Sequence, residues 1–144
     1  MKNIFFVCLS HTLTDEQVAS LNSTFGNGNI VLVSPELKTR TSQIPAEASL
    51  EEIQNLATIV VSEAKSVNAT HFICQGEPTF AMWANLIAGA AFIADWCEGT
   101  NFMNWKAMKC ITSTTERVSV QTEHSDGSVT KTAVFKHVQW RNMF

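Results

Sequence analysis

Short apolar runs, bounded by polar or glycine-rich segments, recur along the chain and predict the strands of a sheet. They occupy residues 3–9, 30–33, 71–74 and 107–112, and their length is typical of strands that are buried on both faces. Alternating apolar and polar residues then flank the tetrapeptide Ser125-Asp126-Gly127-Ser128. Because this tetrapeptide is a turn signal, the end of the chain is predicted to form a β-hairpin.

Apolar residues at helical spacing separate the first strands. The sequence TDEQ at residues 14–17 matches a capping box and predicts the start of the first helix. Ser49 is the predicted cap of a second helix, and residues 34–48 before it, with two prolines, are predicted to be a polar loop. The third helix is predicted from about Pro78, a residue favoured in first turns, to near Trp96.

The order of these elements predicts the α/β class. It is β-α-β-α-β-α-β followed by an antiparallel pair, which is typical of a Rossmann-like, mostly parallel sheet with helices on both faces and a C-terminal antiparallel β-hairpin. The length of 144 residues fits one domain, 1–144, that is large enough for a full hydrophobic core.

The net charge and the cysteine spacing argue against two classes of function, binding of long nucleic acids and binding of zinc. The formal net charge is −3, so we expect no broad basic surface for long DNA or RNA, and an anionic ligand would need a local cluster. The four cysteines form no C-x-x-C pair, which gives a zinc site little support. Three of them, Cys8, Cys74 and Cys110, fall in predicted strands and are expected to be buried.

No segment predicts secretion or membrane insertion. The N-terminal apolar run is too short for a signal peptide and lacks its cleavage pattern. The apolar stretch at 80–94 is too short to span a bilayer, so we expect a core helix or a subunit interface there. A cytoplasmic protein with no membrane partner is therefore expected.

Polar residues follow three of the predicted strands. Strand 1 is followed by Ser10-His11, strand 3 by Gln75-Gly76-Glu77, and strand 4 by the hydroxyl-rich segment TSTTER at 112–117. In open α/β sheets ligands bind beyond the carboxyl ends of the strands, near the switch in strand order. We therefore expect these three groups to meet at one edge.

The predicted hairpin adds basic residues to this edge. By strict alternation His137 and Arg141 share one face, and Lys136 lies on the other. Hydroxyls, amides, imidazoles and guanidinium groups suit a phosphate-bearing ligand held without a metal. No glycine-rich dinucleotide or P-loop motif is present, so no nucleotide cofactor is expected. Each group also has a structural explanation, as turn residues, strand-end hydroxyls or charges on an edge strand.

The pieces SHTLTDEQ, QGEPT, TSTTER and VFKHVQWR together resemble the small stand-alone CARF-like proteins of type III CRISPR loci, of the Csx kind. They are similar to the short members that act as ring nucleases. The motifs extend from residue 10 to residue 141, which is nearly the whole chain, whereas 34–48 and 96–106 carry none of them.

The resemblance implies a homodimer that binds cyclic oligoadenylate and linearises it, switching off type III CRISPR signalling. The resemblance further implies cyclic tetra-adenylate as the ring, whose two-fold symmetry a two-fold dimer can match with paired sites. The ligand-binding residues that we expect are Ser10, His11, Gln75, Gly76, Glu77, Thr114, Thr115, Glu116 and Arg117.

The expected reaction is attack of the ribose 2′-OH on the adjacent phosphorus, with no metal or other cofactor. His11 is the candidate general base or acid, and Arg117 is the candidate for holding the phosphate oxygens. Ser10 and Thr115 are expected to act as neutral donors. Lys136 or His137 would protonate the leaving 5′-oxygen if the hairpin folds over the site.

Three other functions fit the same sequence. The cleft could bind and sequester the cyclic messenger without cutting it, since binding and cutting use the same phosphate contacts. The chain could instead be a small α/β enzyme acting on a mononucleotide or a sugar phosphate. It could also be an interaction protein that uses the helix at 80–94 as its surface.

Overall fold

The computed structural model describes residues 2–89 and 107–144 of the chain. It contains five strands, β1 (Asn3–Cys8), β2 (Gly28–Leu32), β3 (His71–Cys74), β4 (Lys109–Glu123) and β5 (Val129–Asn142). Its four helices are α1 (Asp15–Phe25), α2 (Pro35–Ser42), α3 (Leu50–Ser66) and α4 (Pro78–Ala88).

The strands form one mixed sheet of order β2-β1-β3-β4-β5, which confirms the predicted α/β class. The pairings of β1 with β2, of β1 with β3 and of β3 with β4 are parallel, and β5 is antiparallel to β4. From β1 the chain moves outward to β2 and then returns past β1 to β3. The strand order therefore reverses between β1 and β3, where an open α/β sheet forms its ligand crevice.

Alternate residues of the strands bury against helices on opposite faces of the sheet. One hydrophobic core joins Phe6, Cys8 and Phe72 to side chains of α2, α3 and α4. The other joins Phe5 and Ile73 to α1 and to the hairpin. Both faces are covered, as predicted, because a parallel sheet has no face that can remain in water.

The predicted helix starts are confirmed, but the predicted loop at 34–48 is wrong in part. Gln17 completes the expected capping box with Thr14, and the hydroxyl of Ser49 accepts the backbone N–H of Glu52. Within 34–48, α2 begins at Pro35, whose fixed φ suits the first helical turn. Leu37 explains the helix, since this buried side chain anchors it to the core.

The fourth strand is much longer than the predicted 107–112. β4 continues to Glu123 without a break and is parallel to β3 at Lys109 and Cys110. From Ile111 onward it is antiparallel to β5. The prediction that TSTTER follows the strand is therefore wrong, because this segment lies within β4. The sheet has five strands, since β4 serves both as the last parallel strand and as the first arm of the hairpin.

The predicted hairpin turn is confirmed, but the predicted alternation along its second arm is wrong. Asp126 accepts the backbone N–H of Ser128 in the turn. Toward the root of the hairpin, Thr115 is opposite His137 and Thr114 is opposite Gln139. Val138 therefore has no partner on β4 and forms a β-bulge. The bulge inserts one residue and reverses the alternation. His137 and Arg141 consequently lie on opposite faces of the hairpin.

Three thiols are buried within the sheet, as predicted. Cys8 and Cys74 are neighbours across β1 and β3, and a hydrogen bond between their thiols lowers the pKa of Cys8 and raises that of Cys74. Burial raises the pKa of Cys110 to about 12. The thiols of Cys74 and Cys110 are therefore uncharged at neutral pH and behave as small apolar groups.

Some expectations lie outside the described residues. They are the end of the third helix near Trp96, the fourth cysteine Cys97, and the last part of the apolar stretch at 80–94. In its described part this stretch is a core helix, because Phe80, Ala84 and Ala88 are buried. Across residues 2–89 and 107–144, no helix is long and apolar enough to cross a membrane.

Candidate functional site

A cleft of about 630 Å³ opens at the carboxyl edge of the sheet, between α1 and the root of the hairpin. Its lining includes His11 from the loop after β1, Gln75 from the end of β3, and Ser113 from β4. These residues come from the three strands on which the sequence predicted polar ends. The cleft lies beside the reversal of strand order between β1 and β3, and its volume is within the range of small-molecule sites.

His11 lies on the short loop that joins β1 to α1, and its side chain is exposed. Its Nδ1 atom is 3.0 Å from the backbone carbonyl oxygen of Thr12. A carbonyl can only accept, so Nδ1 carries the proton of this hydrogen bond. In the neutral ring Nε2 is then unprotonated, and it can accept a proton from a ligand in the cleft.

Gln75 ties the end of β3 to β4. Its Nε2 atom donates to the hydroxyl of Thr112 over 2.8 Å. Its backbone N–H donates to the backbone carbonyl of Cys8 over 3.3 Å. The amide side chain is therefore fixed between the strand ends. Its carbonyl oxygen is the acceptor that it can offer to a ligand.

His137 is held in the cleft wall by contacts with two other elements. Its side chain is only 8% exposed, and both ring nitrogens have serine partners. Nδ1 is 2.5 Å from the Ser113 hydroxyl on β4, and Nε2 is 3.1 Å from the Ser20 hydroxyl on α1. The imidazole therefore links the hairpin to α1 while lining the cleft.

The first turn of α1 forms the opposite wall of the cleft. Thr14, Glu16 and Gln17 line it, and Gln17 is buried. The amide Nε2 of Gln17 is 3.4 Å from the Ser113 hydroxyl, and its backbone carbonyl accepts the indole N–H of Trp140. The helix cap and the hairpin root therefore fit together through polar contacts.

The hairpin contributes a cation and an apolar rim. Lys136 and Thr115 line the cleft next to His137. Farther out its wall consists of apolar side chains that are also partly exposed to solvent, namely Val118, Val120, Val134 and Phe135. A ligand would therefore meet a polar floor with one lysine and an apolar outer wall.

Several residues predicted for the site do not line this cleft. Ser10 is exposed and is not part of the lining. Thr114 donates its hydroxyl to the backbone of Gln139. Arg117 lies opposite Phe135, farther along the hairpin. Two others, Glu116 and Arg141, also lie outside the lining, opposite Lys136 and Thr112 respectively.

The end of β3 divides the predicted site between two regions. Gly76 lines a separate cleft on the α4 side of the sheet. Glu77 is the cap of α4, and its carboxylate accepts the backbone N–H groups of Thr79 and Phe80. These hydrogen bonds, with that of Phe80 the stronger, lower the pKa of Glu77. Of the predicted segment QGE, only Gln75 lines the cleft with His11.

The sequence did not predict that Ser113, Gln17 or Ser20 would be part of the site. Ser113 was visible only as one hydroxyl in the TSTTER run, and Gln17 only as the last residue of a capping box. The signal that could have selected Ser113 is the register of the hairpin, since Thr115 is opposite His137 and Ser113 lies two residues away on the same face of β4. Nothing in the local sequence marks Ser20.

No cluster of metal ligands accompanies this cleft in the described part of the chain. Residues 2–89 and 107–144 contain no group of three His, Cys, Asp or Glu side chains close enough to hold a metal ion. The polar groups that line the cleft are hydroxyls, two amides, two imidazoles and an ammonium group, with Glu16 as the carboxylate.

The chain matches a known protein family. The family described as "Uncharacterized protein MJ1673 family" matches residues 3–141, which include every strand of the sheet except the last residue of β5. No curated protein and no solved structure matches the chain.

Proposed function

The chain belongs to the MJ1673 family, and we propose that it is a ring nuclease that binds and opens cyclic oligoadenylate without a metal. The observation that carries the proposal is the convergence of His11, Gln75 and Lys136 on one cleft at the strand-order reversal. The sequence resemblance to CARF-like proteins of type III CRISPR loci supplies the ligand class.

The donors of the cleft suit a phosphodiester. Lys136 provides a positive charge for the phosphate oxygens, and Thr115 provides a neutral hydroxyl. His11 provides an imidazole whose Nε2 atom can take up a proton and pass it on. The apolar outer wall offers a surface for the bases of the same ligand.

The proposed reaction needs these groups and the ligand's own ribose. The 2′-oxygen attacks the adjacent phosphorus in line, the bond from phosphorus to the 5′-oxygen breaks, and a linear product with a 2′,3′-cyclic phosphate results. The protein must hold the ribose in line, move one proton in each direction and stabilise the charge on the phosphoryl oxygens. His11 transfers a proton, and Lys136 stabilises the phosphoryl charge.

A dimer is part of the proposal. A four-membered ring repeats its phosphates around a two-fold axis, so two identical clefts can engage it at once. The hairpin exposes apolar side chains that a second copy would cover, with Phe135 at 71% and Val138 at 55% exposure. Arg117 and Ser10 lie outside the cleft of one chain, so their proposed contacts require a ligand larger than the cleft or a second subunit.

Product analysis tests the proposal. Cyclic tetra-adenylate is incubated with the protein and a chelator, and the products are separated by chromatography. The expected product is linear with a 2′,3′-cyclic phosphate, and His11→Ala should slow its formation by about 10²–10⁴-fold. His124→Ala is the matched control, because this histidine lies in the hairpin turn and contacts Thr130. Turnover that requires added metal would contradict the proposal.

The other outcomes separate the remaining functions. Tight binding of a ring that stays intact would replace catalysis with sequestration of the messenger. Thermal stabilisation by a mononucleotide, with no response to any cyclic oligoadenylate, would indicate an enzyme for an ordinary nucleotide.

A further inference from the structure

The orientation of the Gln17 side chain is fixed by the helix cap. Its Oε1 atom accepts the backbone N–H of Thr14 over 2.9 Å, while the Thr14 hydroxyl accepts the backbone N–H of Gln17. Because a backbone N–H can only donate, the atom that faces Thr14 must be the oxygen of the amide. The atom that faces Ser113 is therefore the amide nitrogen, which can only donate.

This orientation decides the direction of the next hydrogen bond. The hydroxyl oxygen of Ser113 accepts from Gln17 at 3.4 Å, so its single proton is free for its other neighbour. That neighbour is Nδ1 of His137, at 2.5 Å. Ser113 thus donates to Nδ1, the proton of the neutral imidazole lies on Nε2, and Nε2 donates to the hydroxyl of Ser20.

We propose that Ser113 and His137 form a proton relay in the wall of the cleft, through which the proton of the ligand's ribose hydroxyl reaches His137. The proposal rests on the ring nuclease function proposed above and assigns its general base. Ser113 is half-buried and lines the cleft, whereas the imidazole behind it is nearly buried. A hydroxyl, a base and a third group that orients the base make the arrangement that activates hydroxyls in other enzymes.

The relay accounts for each proton that moves in the proposed reaction. As the 2′-oxygen bonds to phosphorus, its proton passes to the oxygen of Ser113, and the proton of Ser113 passes to Nδ1 of His137. Ser113 remains neutral and His137 becomes a cation, held by Ser20 on its other side. The 5′-oxygen leaves as the bond to phosphorus breaks and receives a proton from Nε2 of His11, which has first taken that proton from solvent.

The alternative is that His137 only attaches the hairpin to α1. Both explanations place the proton of the neutral ring on Nε2, because the Gln17 amide sets the direction of the Ser113 hydrogen bond. The tautomer is therefore a condition that the relay must meet, and turnover by the Ser113 variants separates a relay from a structural link.

The tautomer of His137 is read from long-range ¹H–¹⁵N spectra of the imidazole at a pH where the ring is neutral. The relay predicts a proton on Nε2 and an unprotonated Nδ1 in the wild-type protein. The same spectrum of Ser113→Ala should show a changed Nδ1 shift, and the control Ser119→Ala, an exposed serine of β4, should not. A proton on Nδ1 in the wild-type protein would overturn the relay.

Turnover of cyclic tetra-adenylate is measured on the same variants. Ser113→Ala should lower kcat by about 10²–10⁴-fold with KM nearly unchanged, since a positioned acid–base group typically contributes that much. Ser113→Thr, which keeps the hydroxyl, should restore most of the rate. Full turnover by Ser113→Ala would overturn the relay and leave the ring nuclease intact. A wild-type protein that never opens the ring would instead overturn the ring nuclease.

Discussion

The indole Nε1 of Trp140 donates a hydrogen bond to the backbone carbonyl of Gln17 over 3.1 Å. The two residues are 123 positions apart, and they join the second arm of the hairpin to the first turn of α1. Trp140 is 5% exposed and belongs to the same core as Phe5 and Ile73. This contact fixes the hairpin root beside the cleft and therefore holds His137 in place.

Removing the indole should destabilise the protein strongly. Trp140→Ala is expected to lower the free energy of unfolding by about 3–5 kcal/mol, as large buried aromatic residues do. Trp140→Phe keeps most of the apolar area and should cost less, mainly the lost hydrogen bond. Urea denaturation of both variants measures the difference. Leu50→Ala, at a side chain of α3 that is 54% exposed, should change stability by less than about 0.5 kcal/mol.

Lys136 and Arg117, two of the cations of the hairpin, should differ in their effect on ligand binding. Lys136 lines the cleft and Arg117 does not, so Lys136→Ala should weaken binding of cyclic tetra-adenylate by about tenfold or more. It should also lower the salt dependence of the affinity by about one unit of slope. Titration calorimetry at two salt concentrations measures both effects. An equal loss in Arg117→Ala would place the ligand along the hairpin beyond the cleft.

Glu77 should make the free energy of unfolding fall at acidic pH. Its hydrogen bonds to Phe80 and Thr79 lower its pKa below the usual 4.5, so the folded state binds fewer protons than the unfolded state. Its contribution is complete above pH 4.5 and is lost as pH falls through the lowered pKa. Glu77→Gln should thus be less stable than the wild type at pH 7, and the difference should shrink as pH falls below 4.5. In Glu123→Gln, on the exposed hairpin, urea denaturation should show no such gap.

Acidification should also lower the stability of the protein through His71, at a higher pH than through Glu77. Burial, and secondarily the charge of Lys109 on the neighbouring strand, lower its pKa below the usual 6.5. Its Nδ1 contacts Thr70, while its buried Nε2 has no hydrogen-bond partner in the described part of the chain. The unfolded state binds the proton more readily, so stability should fall between pH 7 and pH 5.

Replacement tests the role of this histidine. His71→Gln should flatten the fall in the free energy of unfolding between pH 7 and pH 5, although it lowers stability at both values. His124→Gln, at the exposed turn, is the control and should retain the wild-type slope. If both variants keep that slope, another group causes the acid response.

The sequence was sufficient for the elements whose signals are local. The capping box at Thr14, the cap at Ser49 and the turn at Asp126 were all predicted, because each depends on neighbours within four residues. The helix after Pro35 was not, because its stability depends on burying Leu37 in a core that forms from distant segments. The continuity of β4 was missed for the same reason, since pairing with β5 extends it.

The sequence predicted the edge of the sheet at which the cleft lies, but not the side-chain contacts within the cleft. The alternation of apolar runs and helices places the ends of β1 and β3 together, which explains why His11 and Gln75 line one cleft. The orientation of Arg141 relative to His137 depends on a single inserted residue, Val138. A β-bulge there leaves no clear trace in a sequence, so residues beyond it were assigned to the wrong face.

The most direct test of the account is to locate the ligand. A cyclic tetra-adenylate with 2′-O-methyl riboses cannot be opened by its own hydroxyls, so it can be titrated into ¹⁵N-labelled protein with a chelator present. The largest amide shifts are expected at His11, Gln75 and Ser113. Shifts concentrated instead at the groove between α2 and α3, which Arg40 and Leu56 line, or no shifts at all, would contradict the proposed site.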